Sequence, residues 1–355
     1  MFKLTAAGSP VVISPGAIDE LGALVAGATS AHRAAIVTDA NVGHLYASRA
    51  QAALSALSPV LITVPAGEAH KTRETWAYVT DEMLAHGLAR DGVVIALGGG
   101  VVGDLAGFAA ATYMRGIPVV QVPTSLVAMI DASIGGKTGV DVPAGKNLVG
   151  AFHAPALIAV DPKCLATLPA RELRCGIAEA IKHGAVADAE YFERIATAAP
   201  TLRDPGAAGT PAMRDLVERS VAIKAEVVNE DPREAGRRKI LNFGHTLGHA
   251  IESASDYALH HGEGIAIGMV LEAKLGERLG VTAAGTAARI ERALTSAGLP
   301  TTTSIAAADL LPRTRADKKA RSGRVEYSLP TSIGTFGAWT TVVADSDVTA
   351  TLAAQ

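Results

Sequence analysis

The stretch Val93–Asp104, VVIALGGGVVGD, decides the fold around it. Its first five residues, Val93–Leu97, are apolar and uncharged, and three of them are β-branched. This pattern predicts a strand buried on both faces, as in a parallel sheet. The glycines that follow fit G-x-G-x-x-G from Gly98 to Gly103. Because glycine has no Cβ, such a turn lets a phosphate reach backbone N–H groups at a helix N-terminus, and we expect that helix over Leu105–Met114.

The glycine-rich turn alone leaves two interpretations open. The dinucleotide-binding fingerprint requires an acidic residue about 20 positions further on, which holds the ribose. Here the next acidic residue after Asp104 is Asp131, which is too far. A tight strand–helix turn without a ligand is therefore as well supported as a nucleotide site. If a dinucleotide binds here, it does so by a variant of the usual arrangement.

Length and composition indicate a globular protein of two domains. The chain has 355 residues, of which 49% are hydrophobic and 19% are charged, and this excludes disorder. A net charge of -3 argues against a nucleic-acid or anionic membrane surface. The two cysteines, Cys164 and Cys175, cannot form a disulfide framework, so we expect a reducing cytoplasm. We expect no leader peptide and no membrane span.

The pattern of predicted elements changes near Leu168–Pro169. Before it, strands alternate with helices, which predicts a parallel α/β sheet covered by helices over residues 1–168. The strands are predicted at Pro10–Ser14, Ala34–Thr38, Val60–Val64, Val93–Leu97, Ile117–Val122 and Leu157–Val160. After it, alanine-rich helical patterns predict a mostly helical domain over residues 169–355, with a loop at Pro200–Pro211.

A polar, glycine-rich segment from Asp131 to Gly150 carries groups that could bind an anion. Lys137, Lys146 and Asn147 offer two cations and an amide, which suit a phosphorylated or carboxylated small molecule. A solvated loop with ordinary lysines is the alternative. A P-loop is not indicated, because that motif needs glycine where Asp131 stands.

Histidines are concentrated in one part of the second half. Four of the ten histidines fall between His245 and His261, within LNFGHTLGHAIE and HHGEG. His245 and His249 are one helical turn apart, so spacing alone favours this pair as the ligands of a catalytic metal. Glu179 and Lys182 share a helix face, where a surface ion pair is the ordinary explanation. Arg238 and Asn242 are four residues apart and would point the same way in a helix.

Taken together, these motifs make the sequence resemble the 3-dehydroquinate synthase family of sugar-phosphate cyclases. The resemblance runs from about Pro65 to about Pro330 and includes PAGEAHK, GGGVVGDLAGFAAATYMRG, IDASIGGKTGVDVPAGKN, ELRCGIAEAIKHG, LNFGHTLGHAIE, HHGE and DKK. It implies a Rossmann-like NAD-binding domain over 1–168 and a helical metal- and substrate-binding domain over 169–355. The implied reaction belongs to aromatic amino acid biosynthesis by the shikimate pathway. It converts 3-deoxy-D-arabino-heptulosonate 7-phosphate into 3-dehydroquinate and phosphate.

The resemblance also implies ligands for each bound group. Zn²⁺, or Co²⁺, would be held by Glu179, His245 and His261, so that His249 becomes a pocket residue rather than a ligand. NAD would be held by residues of the first domain: Asp39, Asn41, Glu68, Lys71, Gly100, Val101, Val102, Gly103, Asp104, Thr124, Ser125, Lys137, Lys146, Cys164, Thr167 and Leu168. The substrate would contact Asp131, Lys137, Lys146, Asn147, Lys182, Lys224, Arg238, Asn242, His249 and Lys318. Arg115 would reach across the interface of a homodimer.

Departures from the family pattern and two rival functions accompany this resemblance. The family commonly has asparagine where Asp141 stands and lysine where Ala166 stands, which puts details of NAD binding in question. One rival is another sugar-phosphate cyclase, whose substrate lacks the carboxylate. The other is an NAD- and metal-dependent polyol or glycerol-phosphate dehydrogenase, which would release NADH.

Overall fold

The computed structural model describes residues 1–256, 258–316, 320–321 and 324–354. The chain divides into two compact units, Met1–Leu168 and Pro169–Gln355. The division falls at the point where the sequence pattern changes from alternating strands and helices to helices alone.

The first unit is built on a seven-stranded sheet. Its strands are β1 (Phe2–Ala6), β2 (Ser9–Ile13), β3 (Arg33–Asp39), β4 (Val60–Val64), β5 (Gly92–Gly98), β6 (Val119–Pro123) and β9 (Leu157–Val160). Two further strands, β7 (Lys137–Val142) and β8 (Gly145–Phe152), form a separate hairpin. The sheet order is β1-β2-β9-β6-β5-β3-β4, with β1 antiparallel to β2 and the other neighbours parallel. The helices of this unit are α1 (Leu21–Ala28), α2 (Ala40–Ala53), α3 (Arg73–Ala85) and α4 (Gly100–Thr112).

Strand β5 lies in the middle of the parallel part of this sheet. It pairs with β3 on one side and β6 on the other, and all of its residues are buried. On one face, Val94 and Ala96 join a core cluster with Met83 of α3 and Leu105 of α4. Burying a Leu or Met side chain of this kind stabilises the fold by roughly 1.5–3 kcal/mol. The parallel α/β fold predicted from the apolar run is confirmed.

The order of the strands defines where a ligand fits this sheet. From β3 the chain first adds β4 on one side, and then crosses over to add β5, β6 and β9 on the other. In open parallel sheets, ligands bind outside the carboxyl ends of the strands at the place where the order reverses. That place lies between β3, which ends at Asp39, and β5, which ends at Gly98.

The second unit is mostly helical. Its helices are α5 (Ala170–Ala187), α6 (Ala189–Leu202), α7 (Pro211–Glu230), α8 (His245–Ala254), α9 (His261–Arg278), α10 (Thr286–Ser296), α11 (Ala307–Ala316) and α12 (Asp345–Ala353). A small antiparallel sheet is formed by β10 (Ala320–Arg321), β11 (Arg324–Tyr327) and β12 (Thr341–Val342). Among the described residues, no helix has both the length and the apolar character needed to cross a membrane.

Glycines allow α8 and α9 to approach each other closely. A Cβ at Gly268 would collide with the carbonyl oxygen of Gly244, and one at Gly248 would lie 2.8 Å from Cδ1 of Ile265. Gly244 also has a φ of +79°, a left-handed conformation that glycine adopts without a steric penalty. This close crossing holds the two histidine-bearing helices against each other.

Two sequence predictions about secondary structure need correction, and one element was missed. Helix α4 begins at Gly100 rather than at Leu105. The glycines of its first turn have a low helix propensity, so the sequence pattern predicted the start of the helix too late. The loop predicted at Pro200–Pro211 begins later, because α6 continues through Pro200 to Leu202, whose side chain is buried. The β7–β8 hairpin was not predicted, since its glycine-rich strands lack a clear apolar alternation.

Candidate active site

A cluster of charges in the first unit surrounds Lys71, and we call it the lysine-centred cluster. The Lys71 Nζ atom lies 3.0 Å from Glu68 Oε1, 3.3 Å from Asp104 Oδ2 and 3.6 Å from Asp141 Oδ1. The side chain of Lys71 is only 4% exposed, whereas its partners keep some contact with solvent. Lys146 adds a second cation, 3.6 Å from Glu68 Oε1. One buried ammonium thus holds together the segments that follow β4 and β5 and the strand β7.

The cluster changes the pKa values of its members in opposite directions. Burial tends to raise the pKa of Glu68, but the charges of Lys71 and Lys146 outweigh it and lower that pKa to about 2. Burial raises the pKa of Asp104 to about 6, against the opposing effect of Lys71. Burial also raises the pKa of Asp141. Burial favours neutral Lys71, but the three carboxylates outweigh it and raise the Lys71 pKa.

The start of α4 fits the phosphates of a dinucleotide. Gly99 is the N-cap residue, and no side chain caps the helix there, so the first-turn N–H groups of Gly100, Val101 and Val102 can receive an anion. A Cβ at Gly103 would lie 2.8 Å from Gln121 Oε1, so the Gln121 side chain on β6 would have to move to admit one. The donor arrangement lies at the β3–β5 reversal point, where ligands of this sheet type bind.

The other first-unit residues expected to contact NAD lie mostly at the carboxyl ends of strands. Asp39 ends β3, and its Oδ1 accepts N–H bonds from Asn41 at 2.8 Å and Val42 at 2.9 Å, so it caps α2. Thr124 and Ser125 follow β6 directly, and the Thr124 N–H bonds to the Gly98 carbonyl at 2.9 Å.

A third group of expected NAD contacts lies just after β9, in the short helix Pro162–Thr167. The hydroxyl groups of Tyr46 and Thr167 lie 2.6 Å apart, and the Tyr46 hydroxyl donates to the Cys164 carbonyl at 3.4 Å. Leu168, half-buried, follows this helix. The side chain of Tyr46, on α2, therefore ties this segment to the helix that Asp39 caps.

The residues of the first unit expected to meet the substrate occupy different environments. Asp131 is half-buried in a short π-helical turn, Ala128–Ala132, after β6. Lys137 begins β7 and is exposed. The Asn147 N–H bonds to Asp141 Oδ1 at 2.8 Å, which joins β8 to the lysine-centred cluster. Arg115 is exposed and has a φ of +68°, an uncommon value for a residue other than glycine.

A second cluster, in the helical unit, brings one carboxylate and two imidazoles together. We call it the imidazole–carboxylate cluster. Glu179 Oε1 lies 3.2 Å from His261 Nε2 and 3.6 Å from His245 Nε2, and one ligand atom from each residue lies within 4.8 Å of the others. Glu179 is fully buried on α5, and its Oε2 pairs with Lys182 one turn further along that helix.

Both imidazoles have their second nitrogen engaged in a way that suits a metal ligand. His245 Nδ1 lies 3.1 Å from the Phe243 carbonyl, and His261 Nδ1 lies 3.0 Å from Glu252 Oε1. A proton on each Nδ1 leaves each Nε2 with a lone pair that faces Glu179. Histidines that bind metals usually donate their other N–H to a carbonyl or carboxylate in this manner. The three residues therefore fit a zinc-class ion with a further position for substrate or water.

The charge around His261 is strongly negative. Burial lowers the His261 pKa, but the carboxylates of Glu252 and Glu179 outweigh burial and raise it to about 10. A cation is therefore favoured at this place, whether it is a proton on the imidazole or a metal ion.

His249 lies beside this cluster. Its ring centroid is 5.3 Å from that of His245 and 5.8 Å from that of His261. A ligand atom of His249 also falls within 4.8 Å of atoms from Glu252 and His261, so an overlapping set of donors exists. In that set, however, Glu252 Oε1 already lies 3.0 Å from His261 Nδ1. The structure thus contains two overlapping donor sets, of which Glu179, His245 and His261 is the one that the family resemblance implies.

Two buried glutamates that support the cluster were not identified from the sequence. Glu252 contacts His261 as described, from the α8 helix. Glu272, on α9, accepts N–H bonds from Gly244 at 2.7 Å and Leu247 at 3.0 Å, and so caps the start of α8 next to His245. A carboxylate at a helix N-terminus stabilises that end. The sequence signal was available, since both acids stand in otherwise apolar helical patterns.

The remaining residues expected to bind substrate lie on α5, α7 and the turn before α8. Lys182 and Lys224 are both buried. Arg238 is also buried, and it donates from Nη1 to the Pro232 carbonyl at 2.7 Å. The Asn242 side-chain amide donates to Glu234 Oε1 at 2.6 Å. Lys318 lies outside the described residues.

Two family models match successive parts of the chain, and both belong to the same family. Residues 61–175 match the family model "3-dehydroquinate synthase N-terminal", and residues 176–320 match "3-dehydroquinate synthase C-terminal". A 3-dehydroquinate synthase of Caulobacter vibrioides is 47% identical over 335 residues, which cover 91% of this chain and 90% of that protein.

Two solved structures share the fold. A 2-epi-5-epi-valiolone synthase from Streptomyces hygroscopicus, with NAD⁺ and Zn²⁺ bound, has a TM-score of 0.87 and 33% identity, and the match covers 100% of this chain and 98% of that one. A 2-deoxy-scyllo-inosose synthase, complexed with carbaglucose-6-phosphate, NAD⁺ and Co²⁺, has a TM-score of 0.88 and 23% identity, covering 99% and 98% of the two chains. The second likeness supports the fold alone.

Proposed function

The chain belongs to the 3-dehydroquinate synthase family, and from this premise we propose how its residues carry out the reaction. The enzyme is a carbon–oxygen lyase that converts 3-deoxy-D-arabino-heptulosonate 7-phosphate into 3-dehydroquinate and inorganic phosphate. The C5 hydroxyl of the substrate is oxidised, phosphate is eliminated, the C5 ketone is reduced again, and the opened ring closes by an intramolecular aldol reaction. The first and third steps cancel in electrons, so no net oxidation occurs.

We assign NAD⁺ to the first unit. When bound, it supplies the hydride acceptor for the C5 carbon and the hydride donor for its return. The N–H groups at the start of α4 would hold the diphosphate, and Asp39, at the reversal point of the sheet, would hold a ribose through the carboxylate that also caps α2. The lysine-centred cluster fixes Glu68 and Asp104 beside this place. Thr124, Ser125 and the Cys164–Leu168 segment would line the rest.

We assign a zinc-class ion, Zn²⁺ or Co²⁺, to Glu179, His245 and His261 in the second unit. When bound, it supplies a Lewis acid that lowers the pKa of the alcohol to be oxidised. The residues around the ligands prepare the site for it. Phe243 and Glu252 keep the Nδ1 protons of the two histidines in place, and Lys182 holds the second oxygen of Glu179. The ligands are thus oriented before a metal arrives.

The substrate carries a phosphate and a carboxylate, and we propose that fixed cations of the chain receive both. The candidates are Arg115, Lys137, Lys146, Lys182, Lys224, Arg238 and Lys318, with Asp131, Asn147, Asn242 and His249 as polar neighbours. An arginine such as Arg238 can bind a carboxylate through two parallel hydrogen bonds. Leaving one of these charges buried without its partner would cost roughly 2–5 kcal/mol.

The observation that carries the proposal is the convergence of Glu179, His245 and His261 within 4.8 Å in a chain of this family. The test supplies the heptulosonate phosphate with NAD⁺ in catalytic amount and Zn²⁺, and follows phosphate release together with absorbance of NADH. We expect many phosphates released per NAD⁺ and no accumulated NADH. Stoichiometric NADH would instead identify a polyol or glycerol-phosphate dehydrogenase.

Other sugar-phosphate cyclases are distinguished by the carboxylate of the substrate. Lys224 and Arg238 are both buried in the helical unit, and we propose that they receive the carboxylate of the heptulosonate phosphate. We therefore expect no turnover of glucose 6-phosphate or sedoheptulose 7-phosphate under conditions in which the heptulosonate phosphate reacts. Turnover of either sugar phosphate at a comparable kcat/KM would favour the rival cyclase.

We also propose a homodimer in the cytoplasm. Both cysteines are free and buried, which is consistent with a reducing compartment. Arg115 is exposed, and its position in the family supports a role across a dimer interface. Light scattering after gel filtration should give twice the mass of 36.2 kDa. A monomer at working concentration would overturn this assignment.

A further inference from the structure

Three potential metal ligands converge at a second place in the helical unit. Glu172 and Cys175 are three residues apart on α5 and share a face of that helix. His260 is the residue immediately before α9. One carboxylate oxygen, the thiol sulfur and one imidazole nitrogen from these residues all lie within 4.8 Å of one another. None of the three residues belongs to the imidazole–carboxylate cluster.

The site is built with one buried donor and two accessible ones. Cys175 is 2% exposed, whereas the side chains of Glu172 and His260 are 40% and 37% exposed. An ion can therefore arrive from solvent between Glu172 and His260 and meet the sulfur behind them. His260 Nδ1 lies 2.7 Å from Glu172 Oε1, so these two groups already pair with each other.

The start of α9 lies against Cys175. The N–H groups of Gly262 and Glu263, in the first turn of α9, lower the pKa of the Cys175 thiol. A Cβ at Gly262 would collide with the backbone of Cys175, so the two helices are in close contact. N–H groups at a helix start favour a thiolate. Burial opposes this and raises the pKa of Cys175 to about 12, so a metal ion would have to displace the thiol proton.

We propose that Glu172, Cys175 and His260 form a second metal site, which binds one zinc-class ion with water as the fourth ligand. Thiolate, imidazole and carboxylate are the ligand types that zinc combines in proteins. Ligand atoms around a tetrahedral zinc ion lie roughly 3.3–3.8 Å apart, given bond lengths of about 2.0–2.3 Å. The Glu172–His260 pair would need to open by less than the length of such a bond, and both side chains have room to move toward solvent.

Occupancy of this site would connect α5 with the start of α9. These are the two helices that carry Glu179 and His261 of the imidazole–carboxylate cluster. An ion that binds only the folded chain raises its apparent stability by mass action. The second ion should therefore raise the melting temperature without being needed for the reaction.

Titration with Co²⁺ tests the proposal, because a thiolate ligand gives Co²⁺ an intense near-ultraviolet charge-transfer band. The imidazole–carboxylate cluster contains no thiolate, so its Co²⁺ gives no such band. We expect two Co²⁺ per chain and the band in the wild type, and one Co²⁺ without the band in Cys175→Ser. Cys164→Ser is the matched control, since it removes the other cysteine and should keep both the ion and the band.

Further variants make the outcome decisive even if Cys175→Ser fails to fold. Glu172→Gln and His260→Gln alter partly exposed side chains, and each should weaken the band-forming Co²⁺ at least tenfold while the other ion remains bound. His261→Ala should lose one Co²⁺ and keep the band. Absence of the band in the wild type would overturn the proposal. So would a band that persists in Cys175→Ser, or one that neither glutamine variant weakens.

Discussion

The two charged clusters of this protein are built in opposite ways. In the lysine-centred cluster, three carboxylates from separate segments surround a cation that the chain itself provides, Lys71. In the imidazole–carboxylate cluster, Glu179 Oε1 faces two imidazole nitrogens at 3.2 and 3.6 Å, and Lys182 pairs with the other carboxylate oxygen. The first cluster takes its central cation from the chain itself, whereas the second is arranged for a cation from outside.

This difference separates a structural role from a chemical one. A buried ion pair between side chains fixes the relative positions of the segments that carry it, and its members are then not available as catalytic acids or bases. Metal-ligand side chains that hydrogen bonds hold close together cost free energy to assemble, and metal binding offsets that cost. The comparison therefore predicts that the first cluster governs stability and the second governs metal binding and catalysis.

The largest expected effect breaks the second cluster. His261→Ala should lose the metal and reduce kcat/KM by about 10³-fold, because Lewis-acid stabilisation contributes several kcal/mol, or roughly 4 kcal/mol here. Metal analysis and phosphate release measure the two losses together. His249→Ala is the matched control and should keep the metal. Equal metal content in the two variants would show that the ligands are assigned wrongly.

The next effect breaks the first cluster. Lys71→Met should lower the free energy of unfolding by roughly 2–3 kcal/mol, because three carboxylates then lack their central cation and only partial exposure softens the repulsion. Lys146→Met removes a cation that is 32% exposed, and it should cost less than about 1 kcal/mol. Urea unfolding compares the variants. Equal losses of unfolding free energy in the two variants would mean that burial of Lys71 does not increase its contribution to stability.

A smaller effect sharpens the role of the residues behind the metal ligands. Glu252→Gln leaves His261 without a carboxylate partner at Nδ1, and such changes weaken metal binding by roughly 10–100-fold. Glu277→Gln, on α9, removes a carboxylate that caps α10 through the Ala287 N–H and should leave metal affinity unchanged. Competition with a chelator gives both affinities. An unchanged affinity in Glu252→Gln would contradict the account.

The smallest effect concerns proton binding in the lysine-centred cluster. The Asp104 pKa is raised from 3.8 to about 6, so the folded state binds this proton more tightly than the unfolded chain does. Stability from this group is present below pH 3.8 and is lost as the pH rises through about 6. Asp141→Asn removes a negative charge that contributes to the rise, so the pKa of Asp104 should fall. Carboxyl carbon NMR titration measures it, and a rise would refute the charge arrangement.

Local patterns in the sequence were sufficient to predict the fold of the first unit. The apolar run Val93–Leu97 and the alternation of elements predicted a parallel sheet, because helices between successive strands cover such a sheet on both faces. The dinucleotide-binding fingerprint appeared incomplete because it specifies an acidic residue that follows the glycines in the sequence. In this strand order, the neighbour of β5 at the reversal point is β3, which comes earlier in the chain and ends in Asp39.

The imidazole–carboxylate cluster could be predicted from the spacing of residues only in part. Spacing finds His245 and His249, which are one turn apart, but it cannot find residues that tertiary packing brings together. Glu179 lies on α5 and His261 on α9, and their approach depends on the glycine contacts and helix caps of the folded unit. Resemblance to the family supplied the set that spacing missed. Glu252 and Glu272 were missed although each stands in an apolar helical pattern, and their hydrogen bonds in the structure show what they support.

The central claim is that the helical unit takes its cation from outside the chain. Crystals grown with one equivalent of Zn²⁺ and measured at the zinc absorption edge test it most directly. The account predicts an anomalous peak bounded by a Glu179 carboxylate oxygen and by Nε2 of both His245 and His261. A peak ligated by His249 in place of Glu179, or no peak at this cluster, would contradict it.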